Sequence, residues 1–141
     1  MTRNLTAFAL AALLAPCAAL AASGPQTPIA DPFGSGMWGT HQKYLLGDPE
    51  IIAWDDRVQV LAPDAAEDSL NVPLLVDASA IPNVKRIVVS ADYGPIPHIL
   101  TYYPEQAQAK IALRFKIDMA TEIRASVETH DGTWHVGGTY I

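Results

Sequence analysis

The chain reads as an all-β protein, a two-sheet antiparallel sandwich of seven short strands preceded by one short helix. Three observations carry this. From Arg57 onward apolar residues recur with a period of two, the mark of strands with one buried face. Turn-forming pairs interrupt that pattern at short intervals, at Pro82-Asn83, Gly94-Pro95, Pro104-Glu105 and Asp131-Gly132. Upstream, Trp38, His41 and Leu45 are spaced to share one face of a helix, not of a strand. Seven strands at this spacing match the size and rhythm of an immunoglobulin-like sandwich.

The elements follow in order. Residues 1–21 read as a signal peptide, with Arg3 ahead of the apolar run Leu5–Leu14 and a small-x-small cleavage site at Ala19-Leu20-Ala21. Cleavage after Ala21 discards Cys17, the one cysteine, and directs the chain to the periplasm. A lipid-modified Cys17 fits poorly, because Pro16 precedes it. Residues 22–36 carry Pro25, Pro28, Pro32, Gly24, Gly34 and Gly36 and read as an extended leader. The domain is expected over residues 37–141. Its helix runs from Met37 to Leu46, with Gly47 as a stop. Strands are expected at Arg57–Leu61, Leu70–Ala78, Lys85–Asp92, Ile99–Tyr103, Lys110–Ile117, Glu122–His130 and Thr133–Ile141. Lys110–Ile117 alternates most cleanly: Ile111, Leu113, Phe115 and Ile117 take one face, and Lys110, Arg114 and Lys116 the other.

Cleavage leaves about 120 residues, one domain by size and enough for one core without disulfides. The net charge of −6 argues against nucleic acid and anionic membrane surfaces, which select basic patches. No stretch is expected to span a membrane. No Gly-x-Ser-x-Gly elbow, phosphate loop or nucleophile beside a base is present, so the chain reads as a non-enzyme with no cofactor. The acidic run Asp64-Ala65-Ala66-Glu67-Asp68 reads as a solvated loop guarding a strand end.

Asp131-Gly132 between two alternating runs predicts a two-residue type I′ hairpin. That register pairs Thr129 with Trp134 and Glu128 with His135. It places Trp134 and Val136 on the core face with Val127 and Ala125, and turns Glu128, His130 and His135 outward. Two imidazoles and a carboxylate would suit zinc with one open position, so a small-ligand or metal-binding sandwich is the alternative function. The competing reading is a solvated face beside a turn, and no resident metal is expected.

Asp92-Tyr93-Gly94-Pro95-Ile96-Pro97-His98 reads as a stiff inter-strand loop. Its two prolines pre-set the backbone. A stiff loop presenting Tyr93, Ile96, Pro97 and His98 makes a good partner surface, because little entropy is lost on docking. The other reading is a simple sandwich corner.

Several segments together resemble one family. Ala62-Pro63-x-x-Ala66-Glu67-Asp68-Ser69-x-x-Val72-Pro73 resembles the opening of SoxY, the sulfur-carrier subunit of periplasmic sulfur oxidation. Asp92–Pro97 resembles its Asn-Pro-x-Pro loop, with Gly94 in the asparagine position. Arg114-Phe115-Lys116 resembles its Arg-x-Lys strand, and Asp131-Gly132-x-Trp134-His135 with the two following glycines resembles its last hairpin. The helix at Met37–Leu46 is similar to that of SoxYZ-like carriers associated with quinoprotein dehydrogenases. The resemblance spans Asp31 to Ile141. It implies an immunoglobulin-like sandwich acting in thiosulfate or other sulfur oxidation, or beside a quinoprotein dehydrogenase. Its partner would be a SoxZ-like subunit or a periplasmic dehydrogenase. Family carriers hold substrate on a cysteine in a C-terminal Gly-Gly-Cys arm. Here Gly137-Gly138 precede Thr139 and the sequence stops at Ile141, so no residue is assigned as carrier cysteine. The expectation is a carrier that has lost its hook, or a chain whose arm and SoxZ-like domain lie elsewhere.

Overall fold

The computed structural model describes residues 31–141. The expected signal peptide and most of the expected leader lie outside the described residues. Helix α1 (Trp38–Leu45) comes first. Eight strands follow: β1 (Ile52–Trp54), β2 (Gln59–Leu61), β3 (Val72–Asp77), β4 (Val84–Ala91), β5 (His98–Tyr102), β6 (Lys110–Phe115), β7 (Glu122–Thr129) and β8 (Trp134–Tyr140). They form a five-stranded sheet, β1-β8-β7-β4-β5, packed on a three-stranded sheet, β2-β3-β6. The expected sandwich is therefore present, with one more strand than the alternation shows. Among the described residues no helix is long and apolar enough to cross a membrane.

The additional strand is β1. It pairs parallel to β8, Ile52 opposite Trp134 and Trp54 opposite Val136, while the other pairs are antiparallel. Three residues after Asp48-Pro49 are too few to show a period, so β1 is invisible to pattern reading.

The alternation elsewhere is translated directly into a core. On β3, Val72, Leu74 and Val76 are buried; on β6, Ile111, Leu113 and Phe115 pack from the same sheet. Ile87, Val89 and Ala91 of β4 and Ile123, Ala125 and Val127 of β7 meet them from the large sheet. Pro73 sits on the middle strand of the small sheet, yet beyond the reach of β2, which pairs only with Leu75 to Asp77. Its missing N–H therefore costs no ladder bond there.

The second face of the large sheet is covered as well. Helix α1 lays Trp38, Leu45 and the following Leu46 over Val88 and Trp134 in a separate apolar cluster. The helix closes with the Leu46 N–H donating to the His41 carbonyl and the Asp48 N–H to the Gln42 carbonyl. Residues 31–36 are not an open leader. Asp31 accepts from the N–H groups of Phe33 and Ser35, turning the chain so that the segment lies on the sheet as a strap.

The hairpin departs from its expected form. Thr129 N–H donates to the Thr133 carbonyl, so the loop holds three residues, His130 to Gly132, not two. Gly132 takes φ +87°, the left-handed position that closes a three-residue loop. Asp131 accepts from the Thr129 hydroxyl and the Thr133 N–H, which holds the turn. The extra residue slips the register by one: Glu128 faces Trp134 and Val127 faces His135. A one-residue slip exchanges the faces of a strand. Trp134 is buried as expected, but against the helix and not between the sheets.

Candidate partner-binding site

The site is built upward from a residue in the middle of β7. Arg124 has no exposed surface. Its Nε and Nη2 donate to both carboxylate oxygens of Asp92 at 2.7–3.0 Å, and its Nη1 and Nη2 donate to Asp31 at 2.7 and 3.0 Å. The guanidinium lies 4.4 Å from the Trp38 ring centroid and 5.1 Å from that of Phe33. Two carboxylates and two aromatic faces thus replace the water that a buried guanidinium has lost. Asp31 stands below the ordinary carboxylate range: its own burial pushes it up, and the hydrogen bonds from Arg124 and the strap outweigh that push.

This anchor fixes the loop of residues 92–98. Asp92 is buried where β4 ends, and its N–H donates to the Glu122 carbonyl. Ala91 N–H donates to the Pro97 carbonyl, closing the base of the loop, and Tyr93 N–H donates to the Thr121 hydroxyl. The tip projects from this frame: Ile96 is 74% exposed and Tyr93 41%. Pro97 is half-buried in the base. His98 is exposed on β5 and bonds the Thr101 hydroxyl. A cavity of about 220 Å³ opens beside the tip between Tyr93, Ile96, Ile99, Phe115 and Ile117. Of the four expected partner-binding residues, Tyr93 and Ile96 present the apolar surface and Pro97 supplies rigidity.

His41, on the buried face of α1, lies against this anchor. Its Nδ1 is 3.5 Å from Asp92, and neither ring nitrogen has a hydrogen-bond partner. Burial lowers its pKa from 6.5; the nearby Asp92 carboxylate opposes this, and Arg124 adds to it. Below about pH 6.5 the unfolded chain takes up a proton that the folded protein refuses, so stability falls as the pH drops through that range. Urea unfolding across about pH 7 to 5 is therefore expected to show a declining midpoint for the native chain. The His41→Phe variant, which cannot titrate, should show a flatter decline. Equal slopes would contradict this assignment.

The glycines after Trp134 have a packing role. A Cβ on Gly137 would come 2.0 Å from the Val58 carbonyl oxygen. One on Gly138 would meet the Ile123 carbonyl and the Phe33 ring, each at 2.8 Å. Gly137 lets the turn before β2 close on the sheet, and Gly138 admits the strap's Phe33, which itself packs edge-on against Trp54. Thr139 follows within β8, opposite Ile123.

The expected cluster of Glu128, His130 and His135 is not assembled as a set, because the register slip takes Glu128 to the other face while His130 and His135 border one cleft. Glu128 lies on the helix side and pairs with Lys85 and Arg86. His135 lies on the opposite face and bonds Asp55 at 2.8 Å. His130 is exposed in the turn.

Comparison with known proteins places these features. A family model described as sulfur oxidation protein SoxY matches residues 42–141. The strap and the first turn of α1, residues 31–41, therefore lie ahead of the match. The sulfur carrier protein SoxY from Chlorobium limicola f thiosulfatophilum superposes with a TM-score of 0.64 at 19% identity, covering 74% of this chain and 93% of that one. A proposed superoxide reductase from Thermotoga maritima superposes with a TM-score of 0.52 at 14% identity, covering 68% of this chain and 95% of that one. At such identities the two structures speak to the fold alone. No curated protein sequence gives a significant match.

Proposed function

The chain belongs to the SoxY family of sulfur-oxidation proteins, and from that premise we propose that it is a periplasmic, non-catalytic subunit that binds a protein partner without a carrier cysteine. The partner is a SoxZ-like subunit or a periplasmic dehydrogenase of the quinoprotein type. The signal-like N-terminal stretch supports the compartment.

One observation carries the reading. Gly137-Gly138 precede Thr139 and not a cysteine, and Thr139 is held inside β8 opposite Ile123, in a strand and not in an arm. Both preceding glycines are committed to close packing, against Val58 on one side and Phe33 on the other. A threonine hydroxyl does not ionise near neutral pH as a thiol does, so it offers no equivalent nucleophile. What remains is a rigid loop that shows Ile96 and Tyr93 to solvent. A fixed apolar tip beside a small cavity loses little entropy on docking and can serve as the anchor of an interface.

The test is a single charge at the tip. Ile96→Asp is expected to weaken binding to the SoxZ-like or dehydrogenase partner at least about tenfold. It should leave the melting temperature nearly unchanged, because Ile96 is 74% exposed. Undiminished recovery of the partner with the folded variant would exclude the loop as the binding surface.

A further inference from the structure

The opposite end of the sandwich holds a polar cleft that the partner-binding reading does not use. It has a volume of about 570 Å³ and is lined by Arg57, Asn83, Thr129, His130, Asp131 and His135. Three turns meet there: the one before β2, the one before β4, and the β7–β8 hairpin. The His130 N–H donates to the Asn83 carbonyl, tying two of them together.

His135 is the organised group of this cleft. Its Nδ1 lies 2.8 Å from Asp55 Oδ2. Asp55 is itself gripped by Arg57, whose Nε and Nη2 donate to both carboxylate oxygens. A carboxylate so held can only accept, so Nδ1 carries the proton and donates. The neutral ring then keeps its lone pair on Nε2. An imidazole pinned through Nδ1–H to a carboxylate is the arrangement that orients histidine for a metal. His130 borders the same cleft. Asp131 spends only Oδ1 on the turn. Around the two imidazoles, two carboxylates face one guanidinium, so the local balance favours a cation over an anion.

We propose that this cleft binds a divalent late first-row metal ion, zinc or copper, through His135 Nε2 and the His130 imidazole, with Asp55 as the positioning carboxylate. Imidazole donors suit these ions. Among the described residues no three donor side chains form a ready-made cage. The exposed His130 ring must therefore turn toward His135 on binding, and solvent completes the coordination. Glu128, on the other face of the sheet, plays no part.

Titration of the full mature protein with Zn(II), and separately Cu(II), tests this by calorimetry and by imidazole NMR signals. One equivalent is expected to bind and to perturb His130 and His135. The His135→Gln and His130→Ala variants should each lose at least about tenfold in affinity, and Asp55→Asn about tenfold. Glu128→Gln and His98→Ala should bind as the native chain does. Absence of saturable uptake, unchanged affinity in His135→Gln, or perturbation centred on His98 would overturn the proposal.

Discussion

Replacing Arg124 with alanine is expected to destabilise the protein by about 4 kcal/mol, at the level reached when one partner of a buried ion pair is removed. Three losses combine. Asp92, with no exposed side-chain surface, keeps its charge but loses its guanidinium. Asp31 loses its bidentate partner, so the strap is no longer drawn to the sheet. Trp38 and Phe33 lose the flat cation on which both rings lie. For a domain of this size the melting temperature should fall by roughly 15–25 °C. Two further variants separate charge from packing. Asp31→Asn, at the partly exposed end, should cost only about 1–2 kcal/mol. Arg124→Met combined with Asp92→Leu should recover part of the loss, because the one unpaired carboxylate then left is Asp31, which still reaches solvent. Chemical unfolding of the set reads the result. A loss below about 1 kcal/mol for Arg124→Ala would show that the network is not what fastens the strap.

Gly137→Ala is expected to cost about 3 kcal/mol or to prevent folding. The added methyl would sit 2.0 Å from the Val58 carbonyl oxygen, well inside van der Waals contact. The Val58 backbone cannot yield easily, because the Asp55 N–H is bonded to the Val136 carbonyl and the Val58 N–H to the Asp55 carbonyl. Relief would require β2 to lift off β8, opening the core at Val58 and Val60. Gly39→Ala is the matched control. No atom lies within 4 Å of its Cβ position, and it sits within α1, so alanine should stabilise by up to about 1 kcal/mol. Comparable melting temperatures for Gly137→Ala and the native chain would contradict the packing role assigned to the glycine pair. That role explains why two glycines stand in a strand that has no tail-like conformation there.

The sandwich was legible because its strongest signals are local. Ile111, Leu113 and Phe115 alternate with charged residues, and the structure keeps that alternation as inside and outside. The helix face of Trp38, His41 and Leu45 was equally readable from its spacing. What escaped was non-local. Glu122, Arg124, Ser126 and Glu128 alternate with Ile123, Ala125 and Val127 in the manner of a solvated face, yet Arg124, Ser126 and Glu128 are buried. The available signal was indirect: a helix with an apolar stripe, preceded by Phe33, needs a sheet face to cover, and only the second face of the large sheet is left. The hairpin failed for a different reason. Asp-Gly serves both a two-residue loop and a three-residue loop with a left-handed glycine, and the two differ by the one residue that decides which face each side chain takes. The Glu128, His130 and His135 grouping dissolved for that reason. His135 found Asp55 from a turn some 80 residues upstream, a separation that no spacing rule could anticipate.

The two ends of the molecule thus have separate chemistry. At one end the Asp31–Arg124–Asp92 network holds a stiff loop with Ile96 at its tip. At the other, Arg57 and Asp55 orient His135 beside a polar cleft. The partner reading depends on the first end alone and can be tested without reference to the second.

The central claim is that this SoxY-family domain would engage a protein partner through the rigid loop of residues 92–98, with Ile96 at its tip. Photo-crosslinking from position 96 in the native cell tests it most directly. Capture of a SoxZ-like subunit or a quinoprotein-type dehydrogenase is the predicted result. Capture of such a partner from another face of the domain and none from position 96 would contradict the account.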